Sequence, residues 1–238
     1  MKTTKCSAHE WQVEMTKLIS GEKSAKNGFA TLEQGMMLVR GLTDELLGDP
    51  EKLGAFLETG GLLRESNHRR RTQAERDFMR WVQEIAREAY WNFREGAPDI
   101  GGGAATEAAA QLSNFAIRCL SFARKNDRWT DWRRGEAFQI LTRFIDQRDL
   151  TEVSVIARDV IRGAESAASA PALKFIAEYH LHKDQDFDKQ LVEDLKALAE
   201  KTDDESTAFQ VLEALVDNGE ISELGALDRL NDWRESHR

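Results

Sequence analysis

The chain is poor in the residues that staple or kink a fold. It holds two cysteines, Cys6 and Cys119, in 238 residues, which excludes a disulfide framework, and Cys119 falls on an apolar stripe at helical spacing. A reducing compartment is the expectation. Prolines number three. Pro50 follows Asp49 at an expected first helical position, Pro98 lies in a loop, and Pro171 comes two residues after Ser169. None of them is expected in a helix interior, where the lost N–H and the ring clash cost about 3 kcal/mol. Long apolar runs are missing too. Residues Met1 to Lys5 lack the apolar region of a secretory signal, and no stretch approaches the roughly 18 to 20 apolar residues that cross a bilayer. A cytoplasmic chain without membrane contact is therefore expected. Strand patterning is equally scarce: no segment alternates apolar and polar residues with period two for long enough.

Charge and helical periodicity are plentiful. Charged residues make up 32% of the chain and hydrophobic ones 41%, typical of helical surfaces laced with ion pairs. The formal charge of −9 is unevenly placed: residues 1 to 148 carry a net +2 and residues 149 to 238 a net −11. Apolar residues recur every three or four positions from end to end, so the expected class is all-α.

Three regions follow from this pattern, 1–63, 64–148 and 149–238, and one continuous domain is compatible with them. In the first, Ser7 with Glu10 forms a capping-box pair that opens a helix bearing Trp11, Met15, Leu18 and Ile19. Thr31 with Gln34 opens a second, and Asp49-Pro50 a third with Leu53, Phe56 and Leu57. Glycines 21, 28, 35, 41, 48, 54 and 60 recur every six or seven residues, either as loop glycines or as a face for close helix contact. In the middle region helices are expected over 73–94, from about Thr106 to Lys125 and from Thr130 to Gln147, with Gly96 to Gly103 non-helical.

After Leu150 five helix-start residues fall at almost equal intervals: Thr151, Ser169, Asp186, Asp204 and Ser222. Each side chain can accept from the free N–H groups of a first turn. Short helices that bury one face each must stack on neighbours. Residues 150–236 thus resemble, in architecture, a HEAT-like or similar α-solenoid, joined to an irregular helical bundle. The resemblance implies a scaffold and identifies no particular family.

Candidate chemistry is thin. His180, His182, Asp184, Asp186 and Asp188 are metal-ligand types, but residues i and i+2 of a helix point about 200° apart. As an EF-hand loop the run fails, with Lys189 where glycine is needed and Leu195 where a bidentate Glu belongs. A polar loop with Asp186 capping the next helix is the expectation, and no metal or cofactor is expected. Gly101-Gly102-Gly103 precedes a helix, yet a phosphate loop needs a preceding strand and a lysine, and neither is present. No Ser/His/Asp, Cys/His or Glu-x-x-His arrangement is visible, so the chain is expected not to be an enzyme.

Arg69-Arg70-Arg71 is the only dense basic run, and residues 64 to 143 combine a net +4 with Trp81, Trp91, Trp129 and Trp132. Arginine interleaved with aromatics grips phosphates and bases, and equally marks protein interfaces, while the structural alternative is core tryptophans with locally paired arginines. The string Asp127 to Arg134 places Trp129 and Trp132 at a helix junction, as a clamp or as a local staple. The binding candidates are Arg69, Arg70, Arg71, Trp129, Trp132 and Arg133. The expected function is a helical adaptor that binds a protein partner through a groove or helix face. The alternatives are nucleic-acid binding by the Arg/Trp-rich region and an acidic inhibitor or immunity-type protein.

Overall fold

The computed structural model describes residues 43, 46–65, 71–94, 102–121, 128–164 and 166–237. Among them every regular element is helical: α1 (Pro50–Glu65), α2 (Arg71–Arg94), α3 (Gly102–Ser121), α4 (Arg128–Thr142), a 3-10 turn (Ile145–Gln147), α5 (Thr151–Gly163), α6 (Ser166–Lys183), α7 (Lys189–Lys201), α8 (Glu205–Asp217) and α9 (Glu223–Ser236). The all-α class is as expected, and no helix among the described residues is long and apolar enough to cross a membrane. The helix expected from Ser7, the one expected from Thr31 up to residue 42, and the glycines at 21, 28, 35 and 41 lie outside the described residues, while Leu46 and Leu47, expected on the second of these helices, are helical and buried. The chain divides into two compact units, Met1–Phe115 and Ala116–Arg238.

In the first unit α1 begins where Asp49-Pro50 predicts. The Asp49 carboxylate accepts from the N–H groups of Glu51 (3.1 Å) and Lys52 (3.2 Å), and Pro50 loses nothing at a position whose N–H has no helical partner. Leu53, Phe56 and Leu57 are buried on one stripe of α1, which packs on α2, where Phe78, Trp81, Val82 and Ile85 are buried too. The Phe78 ring stands 5.2 Å from Phe56 and 5.9 Å from Phe115, aromatic spacings that add to simple burial. Gln111 of α3 donates to the Pro50 carbonyl at 2.9 Å. Gly54 faces Gln111 at an ordinary 3.5 Å from where its Cβ would be, so this glycine is not required for a close helix contact. One boundary moves: α3 starts at Gly102, inside the stretch expected to be non-helical.

The second unit is organised around α6. It packs on α4, α5 and α8, while α5 also packs on α7, α7 on α8 and α8 on α9. The tightest approach is between α4 and α6. A Cβ on Gly135 would stand 2.8 Å from the Ala167 carbonyl oxygen and 3.3 Å from Pro171 Cγ. Pro171 lies inside α6, contrary to the sequence expectation. Having no N–H, it leaves the carbonyl of Ala167, four residues back, without its usual helical donor. That carbonyl is the atom Gly135 meets. Phe138 and Phe175 stack the same crossing at 5.8 Å.

The expected rhythm of caps does not survive. Asp204 and Ser222 do cap α8 and α9, accepting from Thr207 N–H at 2.8 Å and Gly225 N–H at 3.1 Å. Thr151, however, is already helical, and Asp149 takes its N–H at 3.1 Å. Ser169 is buried inside α6, because the alanine-rich run before it extends the helix backwards to Ser166. Asp186 is displaced by Asp188, whose Oδ1 accepts from Leu191 N–H at 2.9 Å. Helices α5 to α9 start at 151, 166, 189, 205 and 223, intervals of 15, 23, 16 and 18 residues. Three helix ends turn through the left-handed region, at Ala164 (φ 51°), Asp184 (φ 53°) and Gly219 (φ 72°). After α6 the bonds Asp184 N–H to Leu181 O (3.2 Å) and Gln185 N–H to His180 O (3.0 Å) form a Schellman end, with aspartate where glycine is the usual choice.

Gly135→Ala should lower stability by about 1–3 kcal/mol, the gain in helix propensity of about 1 kcal/mol being outweighed by the backbone clash. Urea unfolding followed by circular dichroism checks this, and a midpoint unchanged or raised would show that the two helices part freely. The Thr207 hydroxyl and N–H hold the Asp204 carboxyl below the usual carboxylate range. Leu191 N–H and Arg158 do the same for Asp188. Lowered folded values mean stability that is present above about pH 4 and lost as pH falls through them. Asp204→Ala should cost about 1 kcal/mol at pH 7 and flatten the loss of stability between pH 5 and pH 2, read from urea midpoints at each pH.

Candidate functional site

The second unit contains a groove of about 870 Å³, within the size range of ligand-binding clefts. Helical spacing builds two of its walls. Lys174, Ala177, Glu178 and Leu181 recur along α6, and Gln210, Glu213, Ala214 and Asp217 along α8, each set on one helix face. The connection Asp184 to Phe187 supplies the third wall. Apolar contact surface comes from Leu173, Ala177, Leu181, Phe187 and Ala214. Leu181 is 77% exposed, a large apolar side chain held in water beside the groove.

Its electrostatics are one-sided. Five carboxylates line it (Glu178, Asp184, Asp186, Glu213 and Asp217) against the single cation Lys174. None of the five is in an ion pair among the described residues, whereas several cations of this unit are paired elsewhere. Arg158 pairs with Asp188. Arg162 holds Asp194 at 3.1 Å and Asp159 at 3.3 Å, Lys196 holds Glu193 at 3.3 Å, and Arg234 holds Glu205 at 2.6 Å. Apart from the buried Asp194, these pairs are largely exposed and of a kind that contributes little stability. Their effect on the groove is to leave Lys174 as the one cation in its lining against five carboxylates.

The third wall is fixed by His180, which is 6% exposed at the end of α6. Nδ1 lies 3.3 Å from the Gln185 carbonyl oxygen and 3.2 Å from that of Asp186. Carbonyls only accept, so Nδ1 carries the proton and donates to both. Nε2 is then the acceptor, and it receives Arg158 Nη2 at 3.2 Å. Phe187 packs edge-on to the imidazole at 5.2 Å. Burial, and next to it the Arg158 charge, push the His180 pKa below its ordinary value, although the loop carbonyls pull the other way. Tyr179 braces the same turn. Thr151 Oγ1 gives its hydrogen to Asp149 at 2.6 Å and so accepts from the Tyr179 hydroxyl at 3.0 Å.

The sequence candidates are not assembled here. Arg69 and Arg70 lie outside the described residues. Arg71 opens α2 and Trp129 lies in the first turn of α4, with both side chains outside them. Trp132 and Arg133 are partly buried on α4, and neither lines the groove. In the middle region Trp81 is core and Trp91 is 48% exposed. Of the residues weighed for metal binding, His182 and Asp184 are exposed, and His180 has both ring nitrogens engaged. Among the described residues no group of three His, Cys, Asp or Glu side chains is placed to hold a metal ion. The groove itself was missed in sequence because it needs α6 and α8 side by side, two helices separated in the chain by α7. Its signal was present as acidic and apolar residues three and four apart within 174–181 and 210–217. No family model, curated protein or solved structure matches the chain, so what the groove takes has to follow from its own residues.

Proposed function

We propose that this chain is a non-enzymatic helical adaptor whose second unit binds a basic segment of a partner protein in the groove between α6 and α8. The observation that carries the reading is the set of five unpaired carboxylates beside an exposed leucine. Opposite charge steers encounter and fixes register, while apolar contact supplies affinity. An amphipathic helix with arginines or lysines along one edge and leucines along another has that complement. Nucleic acid does not suit this surface, since phosphates would meet carboxylates within a Debye length of about 8–10 Å. The packing of α4 on α6, α5 on α7 and α6 on α8 supports the finer reading of this unit as a short stacked array, in which non-consecutive helices line up to leave grooves of this kind.

The reading is tested with a synthetic amphipathic helix carrying arginines and leucines on adjacent faces, titrated against the full chain by fluorescence anisotropy. Binding should weaken steeply with added salt. The double substitution Glu213→Lys with Asp217→Lys should reduce affinity by about tenfold or more, while Glu223→Lys with Glu235→Lys, away from the groove, should change it far less. Equal affinity of the groove variant and the native chain would remove the proposal. Nucleic-acid binding through Arg69, Arg70 and Arg71 would show instead as salt-sensitive retention on heparin that is lost when those arginines are replaced.

A further inference from the structure

We infer that His180 is an acid-sensitive latch: its protonation releases the connection 184–187 from the end of α6 and so dismantles one wall of the groove.

The geometry allows the closed connection only one protonation state of the ring. With Nδ1 donating to the carbonyls of Gln185 and Asp186, a second proton must go on Nε2. That atom faces the Arg158 guanidinium at 3.2 Å, so protonation sets donor against donor and cation against cation. Arg158 cannot turn away cheaply, because its other branch holds Asp188, the residue that caps α7. The remaining charged groups do not rescue the imidazolium. Asp188 favours the charged ring, but less than burial and Arg158 disfavour it, and it is already engaged by Arg158; Asp184 and Asp186 are exposed. Lys183 lies over the Tyr179 ring at 5.8 Å. Across the groove, Glu213 and Asp217 of α8 and Glu178 of α6 line the cavity without a hydrogen bond to the ring.

The connection is also poised to leave. Asp184 occupies the left-handed region at φ 53°, a conformation that glycine adopts more readily than a residue with a side chain. Phe187 is the only residue of the connection that is buried. Beyond the two Schellman bonds of Asp184 and Gln185, two carbonyls held by one imidazole and one ring packed edge-on against it are what keeps it closed. Opening exposes the imidazole to water, where its ordinary pKa near 6.5 returns. A ring charged more readily in the open state favours opening as pH falls below that value, by up to tenfold per pH unit until the closed ring also protonates. The latch is a property of the free chain. Its effect on a partner in the groove rests on the function proposed above.

Hydrogen exchange of the full chain at pH 7.5 and pH 5.5, corrected for intrinsic rates, reads the latch without any partner. Peptides covering 180–192 should exchange about tenfold faster at pH 5.5, while those covering 205–217 stay unchanged. His180→Asn keeps a donor for the carbonyls and does not titrate, so its 180–192 peptides should exchange alike at both pH values. If that variant exchanges fast at both, Arg158→Gln decides. Removing the facing cation should reduce the acceleration at pH 5.5. The inference is overturned if the native 180–192 peptides show no acceleration, if His180→Asn retains it, or, in the deciding case, if Arg158→Gln leaves it undiminished.

Discussion

The second unit depends on how closely α4 can approach α6. At Gly135 there is no room for a methyl group, and the atom in the way is a backbone oxygen that cannot rotate aside. Two sequence choices make this crossing possible: a glycine on α4, and on α6 a proline one turn beyond the carbonyl that the glycine meets. The proline costs α6 a hydrogen bond, and the crossing returns close packing and the Phe138–Phe175 contact. Because α6 also carries α5 and α8, an error at Gly135 would propagate to the groove wall that α6 provides.

The helical class and several boundaries were legible in the sequence because they rest on local chemistry. Asp49-Pro50 opens α1, and Asp204 and Ser222 cap α8 and α9, since a short polar side chain next to a free N–H needs nothing from elsewhere. The even spacing of five caps was misleading for the opposite reason. Ser169 has the same side chain as Ser222, but it lies on the buried side of α6 and the surrounding alanines carry the helix past it. Asp186 lost the capping role to Asp188 because Phe187 is drawn against His180, which shifts the start of α7 two residues along. Tertiary packing chose among local options that the sequence presented as equal.

The candidate site was less legible. Dense or unusual strings stand out in a single sequence, and the arginine run at 69–71 and the paired tryptophans at 129 and 132 are of that kind. The groove is assembled from ordinary residues on helices that are not consecutive, and it becomes visible only when α6 and α8 lie together. The acidity of residues 149–238 was correctly located as a region, yet its distribution was not. Part of it is neutralised by Arg158, Arg162, Lys196 and Arg234 in pairs outside the groove, and the remainder includes the five groove carboxylates.

The left-handed ends of α6 and α8 have an electrical consequence. Asp184 follows the last turn of α6, and Asp217 and Asn218 close α8 just before Gly219, and all but Gly219 line the groove. Both helices therefore finish in the lining of the groove, where the aligned peptide dipoles of each contribute the equivalent of about half a negative charge. Those charges add to Asp184, Asp186 and Asp217, while Lys174 lies more than two turns back along α6. The sign of the groove is thus set by the backbone as well as by its carboxylates.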